Sequence, residues 1–256
     1  MRLLGVQDEE RREAWAAFAL LFGVVASHAV LETARDALFL AAIPVTRLPW
    51  VFIGTAVMSL AAMKLQRRVT RELAEWRALF TWLLLAGALV MAFVLLHGAL
   101  GNAGLYALYM ISGVLMTVML AHFWTLLGAL FSVTQAKRLY AFIGAGGALG
   151  AITGSAASAT LSELVTPDRL LIVAAGGFWL SAAGVTVLRT AAGPEPEPEP
   201  EPGSTLTKGL GYIVQRPYAV RVVLFMLLSA ACLTLVDYVF KRREAGCSRF
   251  QSGVTL

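Results

Sequence analysis

Four ionisable residues in the N-terminal part of the chain have a spacing that suits a binding site. His28, Glu32 and Arg35 lie at positions i, i+4 and i+7, on one face of a helix, and Asp36 follows one turn after Glu32. A guanidinium between two carboxylates can be neutralised within the cluster, or it can hold an anionic solute while the carboxylates tune or couple the binding. The same pattern also fits a solvated helix end, and His28 alone fits a packed polar group.

Two further pairs of ionisable residues complete the candidate set. We expect Lys137 and Arg138 on a cytoplasmic loop, where they could attract the solute or hold the loop to lipid headgroups. Asp237 and Lys241 lie at i and i+4, so they could pair with each other or contact a solute. The candidate substrate-binding residues are Arg35, Glu32, Asp36, Lys137, Arg138, Asp237 and Lys241. The sequence shows no nucleophile–base–acid set, no paired catalytic carboxylates and no metal-ligand spacing, so we expect neither an enzyme nor a cofactor or metal. His97 and His122 lack neighbouring ligand residues, and we expect structural roles for both.

The longest uncharged stretch of the chain indicates what must position these residues. Between Arg77 and Lys137, 59 residues pass without one Asp, Glu, Lys or Arg. The glycine-rich segment 98–104 divides this stretch into apolar segments 78–97 and 105–131, each of at least about 20 residues, the length that crosses a hydrocarbon core as a helix. Because lipid offers no partner to an unpaired backbone amide, we predict an α-helical hairpin across a bilayer.

The composition extends this prediction to the whole chain. It is 58% hydrophobic and 14% charged, with a mean hydropathy of +0.72, whereas soluble domains are about 25% charged. We therefore predict an all-α, polytopic membrane protein. Its seven predicted spans are 14–31, 48–66, 78–97, 105–131, 141–162, 170–189 and 218–240.

The positions of the basic residues predict the orientation. Lys and Arg are concentrated in the N-terminal segment and in alternate loops, which is the positive-inside pattern with a cytoplasmic N-terminus. The net charge of +5 is thus explained by the lipid bilayer rather than by a nucleic-acid partner. We expect an integral multi-pass protein of a bacterial inner (plasma) membrane.

Changes in composition divide the chain into four parts. Residues 1–190 form a six-span bundle, and residues 191–217 form a cytoplasmic linker that contains an alternating Pro/Glu run of nine residues, about 28 Å long as polyproline II. The seventh helix is predicted at 218–241. The polar tail 242–256 reads like sequence from an altered reading frame, so we expect an N-terminal portion of a longer protein that does not transport by itself.

Small residues recur in the fifth predicted span. Gly146, Gly150, Gly154 and Ser158 repeat every four residues, a spacing that lets helix backbones approach closely. The pattern has neither the spacing of a dinucleotide fingerprint nor the Gly-Lys-Ser/Thr of a phosphate loop. It predicts tight helix packing, either within the bundle or with another chain.

Several segments resemble the ATP:ADP antiporter (nucleotide transporter) family. They are 31–38, 48–50, Phe123-Trp124, 135–140, 143–150 and 236–241. The resemblance implies a six-helix bundle of major-facilitator type followed by further spans, and exchange of nucleotide near the midplane between two halves. It also implies that Arg35 matches a basic residue that handles the nucleotide. The chain has Ser112 or Gly113 where that family carries an acidic residue.

Two functions follow as expectations. The first is a membrane transporter, or the N-terminal portion of one, for an anionic organic solute such as a nucleotide, working by alternating access. The second is a non-transporting membrane module that assembles through the small-residue face of its fifth span. The expected partners are the bilayer, a small anionic solute, and a second copy or a complementary half.

Overall fold

The chain is helical throughout the part that the structure describes. The computed structural model describes residues 10–69, 73–189 and 215–253, and no strand occurs within these ranges. A short 3-10 turn, Val45–Arg47, precedes the second helix. The helices are α1 (Arg11–Ala42), α2 (Leu48–Val69), α3 (Glu75–Leu130), α4 (Val133–Ser162), α5 (Pro167–Arg189) and α6 (Pro217–Gly253). The predicted all-α class is confirmed.

Six helices of the described part, rather than the predicted seven, are long and apolar enough to cross a membrane. The count differs because the third and fourth predicted spans, 78–97 and 105–131, both belong to α3. By the length and composition of these helices, the chain is a multi-pass α-helical membrane protein.

Helix α3 folds back on itself at Gly101. A straight helix of its 56 residues would be about 84 Å long. However, Gly101 has φ 52° and ψ −143°, which interrupts the helical path. Glu75 and His122 are 47 residues apart in the sequence, yet Glu75 Oε2 lies 3.0 Å from His122 Nδ1. The two arms are therefore antiparallel, and the predicted helical hairpin with its glycine-rich turn is confirmed.

The chain divides into two compact units, Met1–Pro194 and Glu195–Leu256. The first unit contains helices α1 to α5, and the division between the units falls within the segment 191–217 that was predicted as a linker. Most of that linker, including its Pro/Glu run, lies outside the described residues.

Helix α1 is the centre of the first unit. It packs against α4 and α5 most extensively and against α3 to a lesser degree, while α3 also packs against α2 and α5. Its buried apolar residues join one continuous core with those of α3, α4 and α5, such as Leu21, Leu127, Ile143 and Phe178. Because α1 has neighbours on several sides, its apolar residues are not confined to one stripe.

Helix α6 belongs to the second unit. It contains the predicted seventh span 218–241, and its apolar part is Pro217–Arg243. This helix was predicted to end at Lys241. It continues instead to Gly253 and includes most of the predicted tail 242–256. The first residues of that tail are Arg, Arg, Glu and Ala, all good helix formers, which accounts for the continuation.

The hairpin turn generates a stability prediction. Replacing Gly101 with Ala should lower the free energy of unfolding by about 1–3 kcal/mol, because a Cβ atom is strained at this φ and ψ. The measurement is an SDS titration of the purified chain in mixed micelles, followed by circular dichroism.

Gly98→Ala is the matched control for this variant. A Cβ atom at Gly98 would meet nothing within 4 Å, and Gly98 does not have a positive φ. This change should leave the stability the same or raise it by up to about 1 kcal/mol. Equal effects of the two substitutions would contradict the assigned turn.

Candidate functional site

The candidate site is built on the last turns of α1. The predicted span ended at residue 31, but α1 continues to Ala42, where the extended residue Ile43 and the following Pro44 stop it. Glu32, Arg35 and Asp36 are therefore helical residues, as their spacing predicted. The Arg35 side chain is only 5% exposed, so a solvated helix end does not describe this residue.

The Arg35 guanidinium is bonded on each of its nitrogens. Nε donates to Asp36 Oδ1 at 3.0 Å, and Nη1 donates to Ser112 Oγ on the second arm of α3 at 2.8 Å. Nη2 donates to Glu32 Oε1 at 3.2 Å and also lies 3.0 Å from Asp36 Oδ1. Burial of a charge is tolerated when it is paired and hydrogen-bonded in this way.

An aromatic ring covers one face of the guanidinium. The Arg35 Cζ atom lies 3.8 Å from the centroid of the Tyr109 ring, a cation–π geometry. Ser112 Oγ, which accepts from Arg35, donates to the Tyr109 carbonyl oxygen at 2.9 Å. Tyr109 packs in turn against Phe39 of α1 and Phe52 of α2. These contacts fix the position of the charge between three helices.

The two carboxylates of the site are held differently. Asp36 is 17% exposed and is close to two guanidinium nitrogens. Glu32 is 48% exposed and receives one bond from Arg35, the longest of the set. Glu32 is therefore the partner that an incoming anion can replace with the least loss of contact. A guanidinium binds phosphate and carboxylate oxygens through its planar fork. Here Glu32, Asp36 and Ser112 occupy that fork, so an anion would bind only by replacing one of them.

His28 lies one turn before Glu32 in α1. Its Nδ1 atom is buried and has no hydrogen-bond partner. The residue is thus close in sequence to the cluster and on the predicted face, but no hydrogen bond or ion pair of the described residues joins its Nδ1 to the site.

Tyr109 and Ser112 belong to the site, but the residue types and their spacing in the sequence did not identify them. Both lie in the uncharged stretch, where neither the apolar pattern nor the spacing distinguishes them from their neighbours. The available signal was the resemblance, which placed Ser112 or Gly113 at a position that carries an acidic residue in the nucleotide transporters. Contacts across 77 residues, such as Arg35 to Ser112, are not visible in a local pattern.

The prediction that Lys137 and Arg138 occupy a loop is wrong. Helix α4 begins at Val133, and a capping box formed by Ser132 and Gln135 defines its start. The predicted fifth span begins at residue 141, whereas α4 already includes Lys137 and Arg138, and both Lys and Arg are good helix formers.

Arg138 is engaged at the start of α1. Its Nη2 donates to both oxygens of Glu10, at 3.0 and 3.1 Å, and Gln135 Nε2 donates to Glu10 Oε1 at 2.8 Å. Glu10 is buried. Since Glu10 precedes Arg35 by about 37 Å along α1, the structure does not bring Arg138 to the candidate site.

Lys137 is exposed near this same end of α1. With Phe131, Ala136 and Tyr140 it lines an open cavity of about 370 Å³ at the junction of α3 and α4. Lys137 therefore lies apart from Arg35, and a shared substrate site for the two residues is not supported by the fold of the first unit.

Asp237 and Lys241 pair with each other in α6. Lys241 Nζ donates to Asp237 Oδ2 at 2.8 Å, as the spacing of i and i+4 allowed. The pair belongs to the second unit.

The small-residue stripe of α4 packs against α1. Gly146, Gly150, Gly154 and Ser158 are all buried. A methyl group on the three glycines would lie 2.6, 2.5 and 2.6 Å from the carbonyl oxygens of Phe18, Phe22 and Ala26, respectively. The helices therefore approach backbone to backbone, and the predicted tight packing is confirmed. Because α1 of the same chain covers this face, it is not free for a second chain.

Both remaining histidines contact other residues of the first unit. His122 is buried beside Glu75, and His97 Nδ1 lies 3.1 Å from the Val94 carbonyl oxygen. Among the described residues, no group of three or more His, Cys, Asp or Glu is placed to hold a metal ion.

Comparisons with protein-family models, with curated proteins and with solved structures gave no match to this chain.

The α1–α4 contact generates a second stability prediction. Gly150→Ala should lower the free energy of unfolding by about 1–3 kcal/mol, because its methyl group would press on the Phe22 carbonyl and force the two helices apart. Gly144→Ala, in the same helix, is the control, since a Cβ atom there meets nothing within 4 Å.

The same pair of variants tests where the stripe packs. Light scattering should give one unchanged molar mass for the parent chain, Gly144→Ala and Gly150→Ala in detergent. A smaller oligomer for Gly150→Ala with unaltered stability would show instead that the stripe joins separate chains.

Proposed function

We propose that this chain is a membrane transporter, or the N-terminal portion of one, for an anionic organic solute that binds at Arg35. The observation that carries the proposal is the buried Arg35 guanidinium between α1 and the second arm of α3, in a unit made of apolar helices. Ionisable residues within membrane helices are costly and usually serve a substrate or ion pathway.

A purely structural role explains the site less well. A buried ion pair is weak support for a fold, since apolar residues of similar volume are often equally stabilising. Here one carboxylate partner is almost half exposed, whereas Arg35 itself is enclosed. This asymmetry suits a charge whose partner is exchanged during function, because the exposed Glu32 can leave while Asp36 and Ser112 keep the guanidinium in place.

The resemblance to the ATP:ADP antiporter family supports a nucleotide as the transported solute. The resembling segments include 31–38, which contains Glu32, Arg35 and Asp36. A guanidinium also matches the oxygens of a phosphate group in charge and geometry. We therefore propose a nucleotide of the ATP or ADP type, exchanged across the membrane.

The proposed mechanism is alternating access without hydrolysis. The sequence has no Gly-Lys-Ser/Thr phosphate loop that would couple movement to cleavage of a nucleotide. Rocking of one helix bundle against another around a shared site needs bundles that move as units. The close α1–α4 contact through Gly146, Gly150 and Gly154 supplies that rigidity within the first unit.

Substitution of Arg35 tests the proposal. Arg35→Ala should weaken ADP binding by about 10- to 100-fold, the loss expected for one or two charged hydrogen bonds. Binding of radiolabelled ADP to the purified chain in detergent gives the measurement, with circular dichroism to verify that the variant is folded.

Arg47→Ala is the matched control, because Arg47 is an exposed arginine in the turn that follows α1. It should bind ADP as the parent does. Arg35→Lys, which keeps the charge but loses the planar fork, should fall between the parent and Arg35→Ala. Equal binding by the parent and a folded Arg35→Ala variant would remove Arg35 from the site.

A further inference from the structure

We infer that an anion bound at Arg35 brings a proton with it, which is taken up by Glu32. The inference rests on the proposed function, because it needs an anionic solute at this guanidinium. It specifies how that solute is coupled: each anion that enters the site is accompanied by protonation of one carboxylate, and each anion that leaves releases the proton.

The cluster of Arg35, Glu32 and Asp36 carries more negative than positive charge. Arg35 contributes one positive charge, and Glu32 and Asp36 contribute two negative charges, so the cluster carries a net charge of −1. An approaching anion therefore meets a site of its own sign, although the guanidinium is the group that it should contact. Protonation of one carboxylate removes that repulsion.

The neighbouring helices do not offset the negative charge. Helix α2 has no ionisable residue between 48 and 63, α5 has none between 170 and 188, and α4 has only Tyr140 between 139 and 162. The ionisable groups of α3 between 78 and 130 are tyrosines and histidines, of which Tyr109 faces the guanidinium. The first unit thus places no second Lys or Arg along these helix segments.

His28 is the remaining ionisable group on this face of α1. Its buried Nδ1 has no partner. The charged imidazolium would place an N–H donor there without an acceptor, whereas the neutral ring leaves only an unused lone pair. The neutral form therefore fits the surroundings, and His28 does not cancel the excess negative charge.

The geometry selects Glu32 rather than Asp36 as the proton carrier. Asp36 Oδ1 lies 3.0 Å from both Nε and Nη2 of Arg35 and is largely enclosed. Glu32 Oε1 has one bond of 3.2 Å, and its side chain is the more exposed of the two. Glu32 can leave Nη2 to the anion, and the negative charge of the bound anion beside the Glu32 carboxylate then favours the uptake of a proton from solution.

The proton balance of this exchange is simple. The Glu32 carboxylate gains one proton from solution, and no covalent bond of the anion is formed or broken. The site then consists of Arg35, Asp36 and a neutral Glu32, so its net charge rises from −1 to zero before the charge of the anion is added. By linkage, anion affinity increases as the pH falls.

Calorimetry of ADP binding tests the inference directly. The purified full chain in detergent is titrated with ADP at pH 7 in two buffers with different ionisation enthalpies, which gives the number of protons taken up per ADP bound. For each ADP bound, the parent should take up more protons than Glu32→Gln, with a difference of up to about one. Glu32→Gln should also bind ADP about tenfold more tightly, because the repelling charge is gone.

Glu163→Gln serves as the matched control. It makes the same chemical change at an exposed carboxylate just after α4, and it should take up protons and bind ADP as the parent does. Protonation of ADP itself is common to all variants, so it cancels in the comparison. If Glu32→Gln does not fold, Glu32→Ala provides a second neutral variant that is favourable in a helix.

The outcomes separate the inference from the function on which it rests. Equal proton uptake by the parent and a folded neutral variant at position 32 would overturn the coupling, while ADP binding that depends on Arg35 would still stand. Absence of ADP binding by the folded parent chain would overturn both.

Discussion

The N-terminal unit depends on how one buried guanidinium is satisfied. Arg35 cannot lie among apolar helices unless each of its nitrogens has a partner. Glu32 and Asp36 come from its own helix, but Ser112 and Tyr109 come from the second arm of α3. That arm reaches α1 only because Gly101 reverses the direction of α3. The turn, the helix pair and the charge are therefore parts of one arrangement.

Helix α1 must meet two different requirements along its length. Its first half lies backbone to backbone against the glycines of α4, and its start is tied to α4 through Glu10 and Arg138. Its last turns carry the charged cluster and face α3. Close packing at one end and a polar cluster at the other divide α1 into a part that packs on α4 and a part that carries ionic contacts. The half-exposed Glu32 lies in the second part.

Much of the fold was predictable because it depends on local patterns. The uncharged stretch with its glycine-rich interruption predicted the hairpin, and the four-residue repeat predicted close packing. Helical spacing allowed the Asp237–Lys241 pair but left a solute contact equally open. Helix ends were less predictable: charged residues bounded the predicted spans, whereas backbone hydrogen bonds carry α1 past Arg35 and start α4 before Lys137. Ser112 was not identified as an Arg35 partner because that contact joins distant parts of the chain.

We propose that an anionic solute replaces the Glu32 carboxylate on the Arg35 guanidinium. The most direct measurement is a pair of crystal structures of the chain in a lipidic mesophase, one with ADP and one without. We predict that ADP places a phosphate oxygen about 2.7–2.9 Å from Arg35 Nη2, with Glu32 turned away and Asp36 and Ser112 still bound to the guanidinium. ADP bound elsewhere, with the Arg35–Glu32 contact intact in both structures, would contradict the claim.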